Sequence, residues 1–171
     1  DACATGIQII GDNFTVSTGG MGYDLDEITI WGGYYPTDTP VAAPFDIFIY
    51  TDSGGLPDTM ACSATGITPT SDTLTGVTLF GSVSEHEIVF TISGCNIADG
   101  TYWLYLYTNT GTGTDDFFWE EGGLDTTNGV AGSVWSHTNP PAPWNTYDST
   151  EFAVQITGTI VPVELQSFSV E

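Results

Sequence analysis

The chain has 171 residues, is 40% hydrophobic and 13% aromatic, and carries 22 acidic residues with no Lys or Arg, which gives a formal charge of −22 at pH 7. The length and the hydrophobic content are typical of one globular domain with a buried core. The charge excludes nucleic acid and anionic membrane surfaces as partners and excludes lysine and arginine chemistry, so neutralising cations must come from outside the chain.

Short runs of alternating β-branched and aromatic residues recur along the chain, and helical periodicity is almost absent. In chain order the clearest runs are DEITIWG (26 to 32), FDIFIYT (45 to 51), HEIVFTI (86 to 92), TYWLYLYT (101 to 108) and EFAVQITGT (151 to 159). Turn clusters rich in Gly, Pro, Asn and Asp separate them. About nine or ten strands at this spacing predict an all-β fold, an antiparallel β-sandwich that is jelly-roll-like.

Two of these runs predict where the core lies. In FDIFIYT the residues Phe45, Ile47 and Ile49 share one face, which we expect to be buried. The run TYWLYLYT is apolar on both faces. It therefore predicts a central strand, or a strand whose outer face is covered or binds something.

The cysteines predict one intramolecular disulfide. Cys62 and Cys95 lie beside Gly or Ser about 30 residues apart, which suits a bridge between two neighbouring connections of a sandwich. Cys3 is left over, either as an unpaired thiol or bonded to another subunit or to a segment outside this chain. Without a C-x-x-C pair, a metal site built on cysteines is not expected.

Several features indicate a secreted protein. No run of about 18 apolar residues is present, so no membrane span is predicted. No basic segment precedes the first apolar residues, as in a secreted chain whose signal peptide has been removed or left out.

Three segments together resemble a β-sandwich module of secreted Bacteroidota proteins. They are YTDSGGLPDTMACSATG (50 to 66), CNIADGTYWLYLY (95 to 107) and EFAVQITGTI (151 to 160). The resemblance implies a secreted sandwich with a disulfide between Cys62 and Cys95. The family provides no catalytic residues to transfer to this chain. This chain differs from the family in having no Lys or Arg.

The tail VPVELQSFSVE (161 to 171) is similar to the Pro-Val-Glu-Leu linker that precedes the C-terminal portion of type IX secretion cargo. We therefore expect a single sandwich domain over residues 1–160 and a linker or extra strand over residues 161–171. An extra strand can fold back on its own sheet or pair with the edge of a neighbouring subunit, and the second arrangement would build a filament.

Four Asp-Ser/Thr signals resemble Bacteroidota O-glycosylation sites. The acceptor residues would be Thr59, Thr73, Thr126 and Ser149. These hydroxyls are predicted to carry sugars if the resemblance holds.

The run GTDDFFWEEGG (113 to 123) packs four acids around three aromatic residues without a base. As a strand it would place Phe117 and Trp119 on one face and Phe118 on the other, with the acids near the loop ends. Calcium takes carboxylate and carbonyl oxygens and is the expected counter-ion, although plain solvated acids remain an alternative. The candidate calcium ligands are Asp24, Asp26, Glu27, Asp115, Asp116, Glu120, Asp125 and Asn128.

Catalysis is not predicted, because no nucleophile, metalloprotease or phosphate-loop motif is present. The adjacent Glu120 and Glu121 would point to opposite faces of a strand, and His86 belongs to no motif. We expect a structural or adhesive surface module that associates with itself. The alternative is a carbohydrate-binding module of a longer secreted enzyme or adhesin that binds polysaccharide, for which the candidate residues are Trp135, Trp144 and Tyr147.

Overall fold

The computed structural model describes residues 9–40, 44–108, 116–122, 133–136, 144–147 and 151–161. These residues form thirteen strands, two of which have only two residues. The strands are β1 (Ile9–Val16), β2 (Gly22–Tyr35), β3 (Phe45–Asp52), β4 (Pro57–Ile67), β5 (Ser71–Thr78), β6 (Ser84–Ile97), β7 (Gly100–Thr108), β8 (Asp116–Trp119), β9 (Glu121–Gly122), β10 (Ser133–Ser136), β11 (Asn145–Tyr147), β12 (Glu151–Phe152) and β13 (Val154–Val161). Within these ranges no helix is long and apolar enough to cross a bilayer.

The strands form two main antiparallel sheets. Sheet A has the order β11-β10-β1-β7-β3-β4, and sheet B has the order β13-β2-β6-β5 with β8 also paired to β2. The chain passes from β1 in sheet A to β2 in sheet B and back to β3. The returning strands β6 and β7 then pair with β2 and β1, which is the winding of a jelly roll. The predicted all-β antiparallel sandwich is confirmed, with more strands than the nine or ten expected because short strands form in the acid-rich and Pro-rich segments.

The core lies between the two sheets, as the alternation predicts. Phe45, Ile47 and Ile49 of β3 are at most 1% exposed. They face buried residues of sheet B, and the rings of Phe45 and Phe90 lie 5.0 Å apart across the interface. The apolar faces of the two sheets therefore cover each other.

Strand β7 is a central strand whose outer face is also covered. Its side chains Trp103 and Tyr105 point away from the core, yet they are only 1% and 0% exposed. The ring of Tyr105 lies 5.1 Å from that of Phe48 and 5.9 Å from that of Trp144. The prediction of a central strand is confirmed, and Phe48 and Trp144 help to cover its outer face.

A disulfide links Cys62 of β4 to Cys95 of β6, with 5.6 Å between the two Cα atoms. The pairing is the predicted one, but its place differs. The cysteines lie within strands of opposite sheets rather than in connections, so the bridge fastens the edge of sheet A to sheet B. Cys3 lies outside the described residues.

The aromatic residues of the acid-rich run take the predicted faces. Trp119 of β8 is buried in the core and Phe117 packs against it. Phe118 points outward, where its ring contacts those of Tyr35 and Phe80. Gly32 of β2 allows this close pairing, because a Cβ there would lie 2.2 Å from the carbonyl oxygen of Phe118.

Candidate functional site

A cleft of about 530 Å³ opens between β1 of sheet A and the segment that contains β12, which pairs with β9, and β13 of sheet B. This volume is within the usual range of small-ligand sites. Apolar side chains form much of its lining, namely Phe14, Val16, Val154, Ile156 and Ile160. Ser17 and Thr18 add hydroxyl groups where β1 ends.

A buried carboxylate lies at the other end of this cleft. Asp12 is 3% exposed, and its two oxygens accept hydrogen bonds from the backbone N–H groups of Asn13 at 2.7 Å and Phe152 at 2.5 Å. Burial raises the pKa of Asp12 to about 6, and the nearby charge of Glu151 adds to the rise, while the two N–H donors oppose it. The carboxylate is therefore partly protonated in mildly acidic solution.

Asp12 was missed as a candidate, although the sequence contains a signal for it. In the strand IIGDNFTV it shares a face with the inward-pointing Ile10, Phe14 and Val16. An acid at the buried position of an alternating strand is unusual unless it is hydrogen-bonded. Only the fold reveals that one of its partners is Phe152, 140 residues further along the chain.

An exposed aspartate fixes the loop between β1 and β2, which forms part of the cleft wall. Asp99 lies in the turn between β6 and β7 and accepts hydrogen bonds from the hydroxyl and N–H of Thr18 at 2.5 and 2.6 Å and from the N–H of Gly20 at 2.8 Å. These hydrogen bonds hold the pKa of Asp99 below its ordinary value. The loop is thereby fastened to the neighbouring turn.

A second buried polar group lies on the inner face of sheet B. The Nδ1 atom of His86 lies 2.6 Å from one carboxylate oxygen of Asp72, and the hydroxyl of Tyr34 donates to the other at 2.8 Å. Burial raises the pKa of Tyr34, and its hydrogen bond to Asp72 adds to this. Within the described residues the buried Nε2 atom of His86 has no hydrogen-bond partner. The histidine is thus a buried core residue held by an acid.

Glu120, one of the candidate calcium ligands, forms a carboxyl pair with Glu85. Burial raises the pKa of Glu120, and a hydrogen bond with the carboxyl group of Glu85 raises it further. Sharing a proton reduces the repulsion between the two groups. The raised pKa of Glu120 favours its protonated form, which would lower the negative charge of the acid-rich run.

Among the candidate calcium ligands that the structure describes, those on β2 lie apart from those at β8, which pairs with the Gly32–Tyr35 end of β2. Asp24, Asp26 and Glu27 follow one another on β2, and the carboxylate of Asp26 accepts a hydrogen bond from Thr159. Asp116 begins β8 and Glu120 follows it, whereas Asp115, Asp125 and Asn128 lie outside the described residues. In the described part of the chain no group of three or more His, Cys, Asp or Glu side chains is arranged to hold a metal ion. Calcium binding stays a prediction.

The predicted sugar-binding residues lie on or beside the short strands of sheet A. Trp135 lies on β10 and Tyr147 on β11, and these strands pair. The half-buried ring of Trp144 contacts the rings of Tyr50 and Tyr105. Trp144 therefore packs on its own domain, and sugar binding by these three residues stays a prediction.

The predicted glycosylation sites divide between described and undescribed residues. Thr59 on β4 and Thr73 on β5 are exposed, and the hydroxyl of Thr59 donates to Asp58 at 3.0 Å. Thr126 and Ser149 lie outside the described residues. Their modification stays a prediction.

Comparison with protein-family models, curated proteins and solved structures finds no match for this chain. Its function is therefore inferred from the geometry of the described residues.

Proposed function

We propose that the chain is a secreted, non-catalytic structural or adhesive surface module that associates with itself through the two edge strands of sheet B. Copies would join edge to edge, with β5 of one copy pairing with β13 of the next. The disulfide between Cys62 and Cys95 supports the secreted part of this proposal, because such bonds persist in oxidising compartments.

The observation that carries the proposal is the scarcity of charge on both edge strands, where the one acid is Asp72 of β5, whose carboxylate is held by His86 and Tyr34. Among the described strands β5 pairs only with β6, and β13 pairs only with β2. The edge residues Thr73–Thr78 and Val154–Val161 include none of the 22 acids in the chain. Natural proteins usually protect exposed edges with charged residues or proline, so two long uncharged edges favour strand pairing.

The edges also present apolar side chains to solvent. Leu74 and Val77 of β5 are 65% and 50% exposed, and Ile160 and Val161 of β13 are 48% and 37% exposed. Burying these side chains between copies would favour association by roughly 25 cal/mol for each Å² of apolar surface. Pairing at uncharged edges would also keep the acids of neighbouring copies apart.

The arrangement of the two edges predicts an open assembly. They lie at opposite ends of the same sheet, so a contact between β5 and β13 joins two different surfaces. Such a contact repeats from copy to copy unless rotation closes a ring. The expected product is a filament in which sheet B continues across subunits.

Sedimentation velocity at increasing protein concentration tests this proposal. We expect reversible association that strengthens with salt, because salt screens the repulsion between copies of charge −22. Runs with calcium and with a chelator would separate screening from a specific calcium effect. A chain that remains monomeric at millimolar concentration and high salt would contradict the proposal.

A matched pair of variants locates the contact. Val77→Asp adds a charge to the β5 edge and should weaken association at least about tenfold. Met60→Asp on β4 is the control, because Met60 is 51% exposed, close to the 50% of Val77, but lies in sheet A. Equal effects of the two substitutions would place the contact elsewhere.

An exposed ring cluster favours the second candidate function, glycan binding. Tyr35 and Phe80 are 47% and 55% exposed, and their rings lie 6.1 and 5.7 Å from that of Phe118. Exposed aromatic faces can stack on sugar rings. Binding to insoluble polysaccharide that Phe80→Ala abolishes would favour this candidate over self-association.

A further inference from the structure

We propose that the cleft between β1 and β13 binds a primary ammonium group carried on an apolar stem, with the ammonium at the carboxylate of Asp12 and the stem along Phe14, Val154 and Ile156. The ligand class is an aliphatic amine. This inference does not depend on self-association, because the cleft lies within one copy.

The two ends of the cleft differ in character. Asp12 and Glu151 lie at one end, since the carboxylate of Asp12 accepts a hydrogen bond from the N–H of Phe152. The other end is formed by Ser17, Thr18 and Ile160. Between them β1 advances from Asp12 to Val16, about 13 Å at 3.3 Å per residue. The space suits a short alkyl chain with a charged head.

Within the described residues the chain supplies no cation to Asp12. It contains no Lys or Arg, and of its two His residues His86 is held by Asp72 on sheet B. Removing a carboxylate from water is costly unless an opposite charge or several hydrogen bonds accompany it. Asp12 has two N–H donors, and each of its oxygens can accept a further bond. An ammonium group would supply the opposite charge and could donate further hydrogen bonds to both oxygens.

The electrostatics of the whole molecule favour the same ligand. A charge of −22 raises the local concentration of cations and repels anions from the cleft. The cleft wall nevertheless includes the apolar side chains of Phe14, Val154 and Ile156, which a bare cation would leave without a partner. A group that is both cationic and apolar matches both properties.

The proposal predicts linkage between binding and protonation. The carboxylate of Asp12, with its pKa raised to about 6, must be ionised to attract the ammonium. Binding should therefore lower the pKa of Asp12, and affinity should rise as the pH rises through about 6. An apolar molecule of the same size would show neither effect.

The first experiment uses n-hexylammonium as the probe and n-hexanol and ethylammonium as matched controls. Carbon-detected NMR follows the titration of the Asp12 carboxyl group in the intact chain. We expect hexylammonium to bind at least about tenfold tighter than hexanol at pH 8, a preference of at least about 1.4 kcal/mol, and to lose that advantage at pH 4. Ethylammonium, which lacks the stem, should bind much more weakly. Equal affinity for hexanol and hexylammonium at pH 8, or an Asp12 titration unmoved at saturation, would overturn the proposal.

Variants then locate the stem. Ile160→Ala should weaken hexylammonium binding several-fold, whereas Val161→Ala should leave it unchanged. The two residues are adjacent and both exposed, but only Ile160 lines the cleft. Asp12→Asn should abolish the preference for the amine over hexanol. If that variant does not fold, the NMR titration of the unaltered chain decides the matter.

Discussion

Replacing Asp12 by Asn should remove a specific pH dependence from the stability of the fold. The pKa of Asp12 rises from its ordinary value of 3.8 to about 6 on folding, chiefly because of burial. The folded state therefore binds the proton more tightly than the unfolded state does. The resulting stabilisation is complete below pH 3.8 and is lost as the pH rises through about 6.

The size of the effect follows from the shift. A change of about two pKa units at 1.36 kcal/mol per unit is roughly 3 kcal/mol. Asp12 is only 3% exposed, so solvent screening reduces this little. The free energy of unfolding of the unaltered chain, relative to that of Asp12→Asn, should therefore fall by roughly 3 kcal/mol between pH 3.5 and pH 7.

Urea unfolding followed by tryptophan fluorescence measures this difference at fixed salt and with the disulfide intact. Subtracting the free energy of unfolding of Asp12→Asn from that of the unaltered chain at each pH removes the contribution of the charge repulsion, which grows in both proteins as other acids ionise. Asp58→Asn on the exposed face of β4 serves as the control and should preserve the pH dependence of the unaltered chain. Parallel curves for the unaltered chain and Asp12→Asn would refute the assigned role of this carboxylate.

Three further predictions concern other parts of the fold. Asp99→Asn should expose the loop between β1 and β2 to proteinase K, with faster cleavage near residue 20 than in the unaltered chain, because the hydrogen bonds from that loop are weakened. Replacing Cys62 and Cys95 by Ala opens a loop spanning 33 residues and should lower the free energy of unfolding in urea by roughly 4 kcal/mol. Glu120→Gln should stabilise the chain more at pH 8 than at pH 5, because the pKa of Glu120 is raised by burial and by Glu85, and thermal unfolding at the two pH values checks this. Equal shifts at the two pH values would contradict the proton-sharing pair.

The sequence predicted those features that depend on local alternation. The inward face of β3 follows from Phe45, Ile47 and Ile49 at every second position, and the split of Phe117 and Phe118 follows from the same rule. The covered outer face of β7 could be predicted because Trp103 and Tyr105 leave no polar side. In each case the pattern lies within one strand.

The features that the sequence did not predict depend on register between distant strands. The pairing of Leu74 with His86 places Asp72 beside the imidazole, and a register shift follows between Leu74 and Thr78. The contact of Asp12 with Phe152 joins strands 140 residues apart. Whether the candidate calcium ligands of different segments share a site depends on register too, and β2 and β8 meet only at the Gly32–Tyr35 end of β2, away from Asp24. Local patterns contain no information about such register.

Amide hydrogen exchange during association tests the central claim most directly. Exchange at the edge residues 73–78 and 154–161 should slow together as the protein concentration rises, because each new interface contains one copy of each edge. The amides of β7 in the middle of sheet A should not change. Association without protection of these two edges, or with protection of only one of them, would contradict assembly through sheet B.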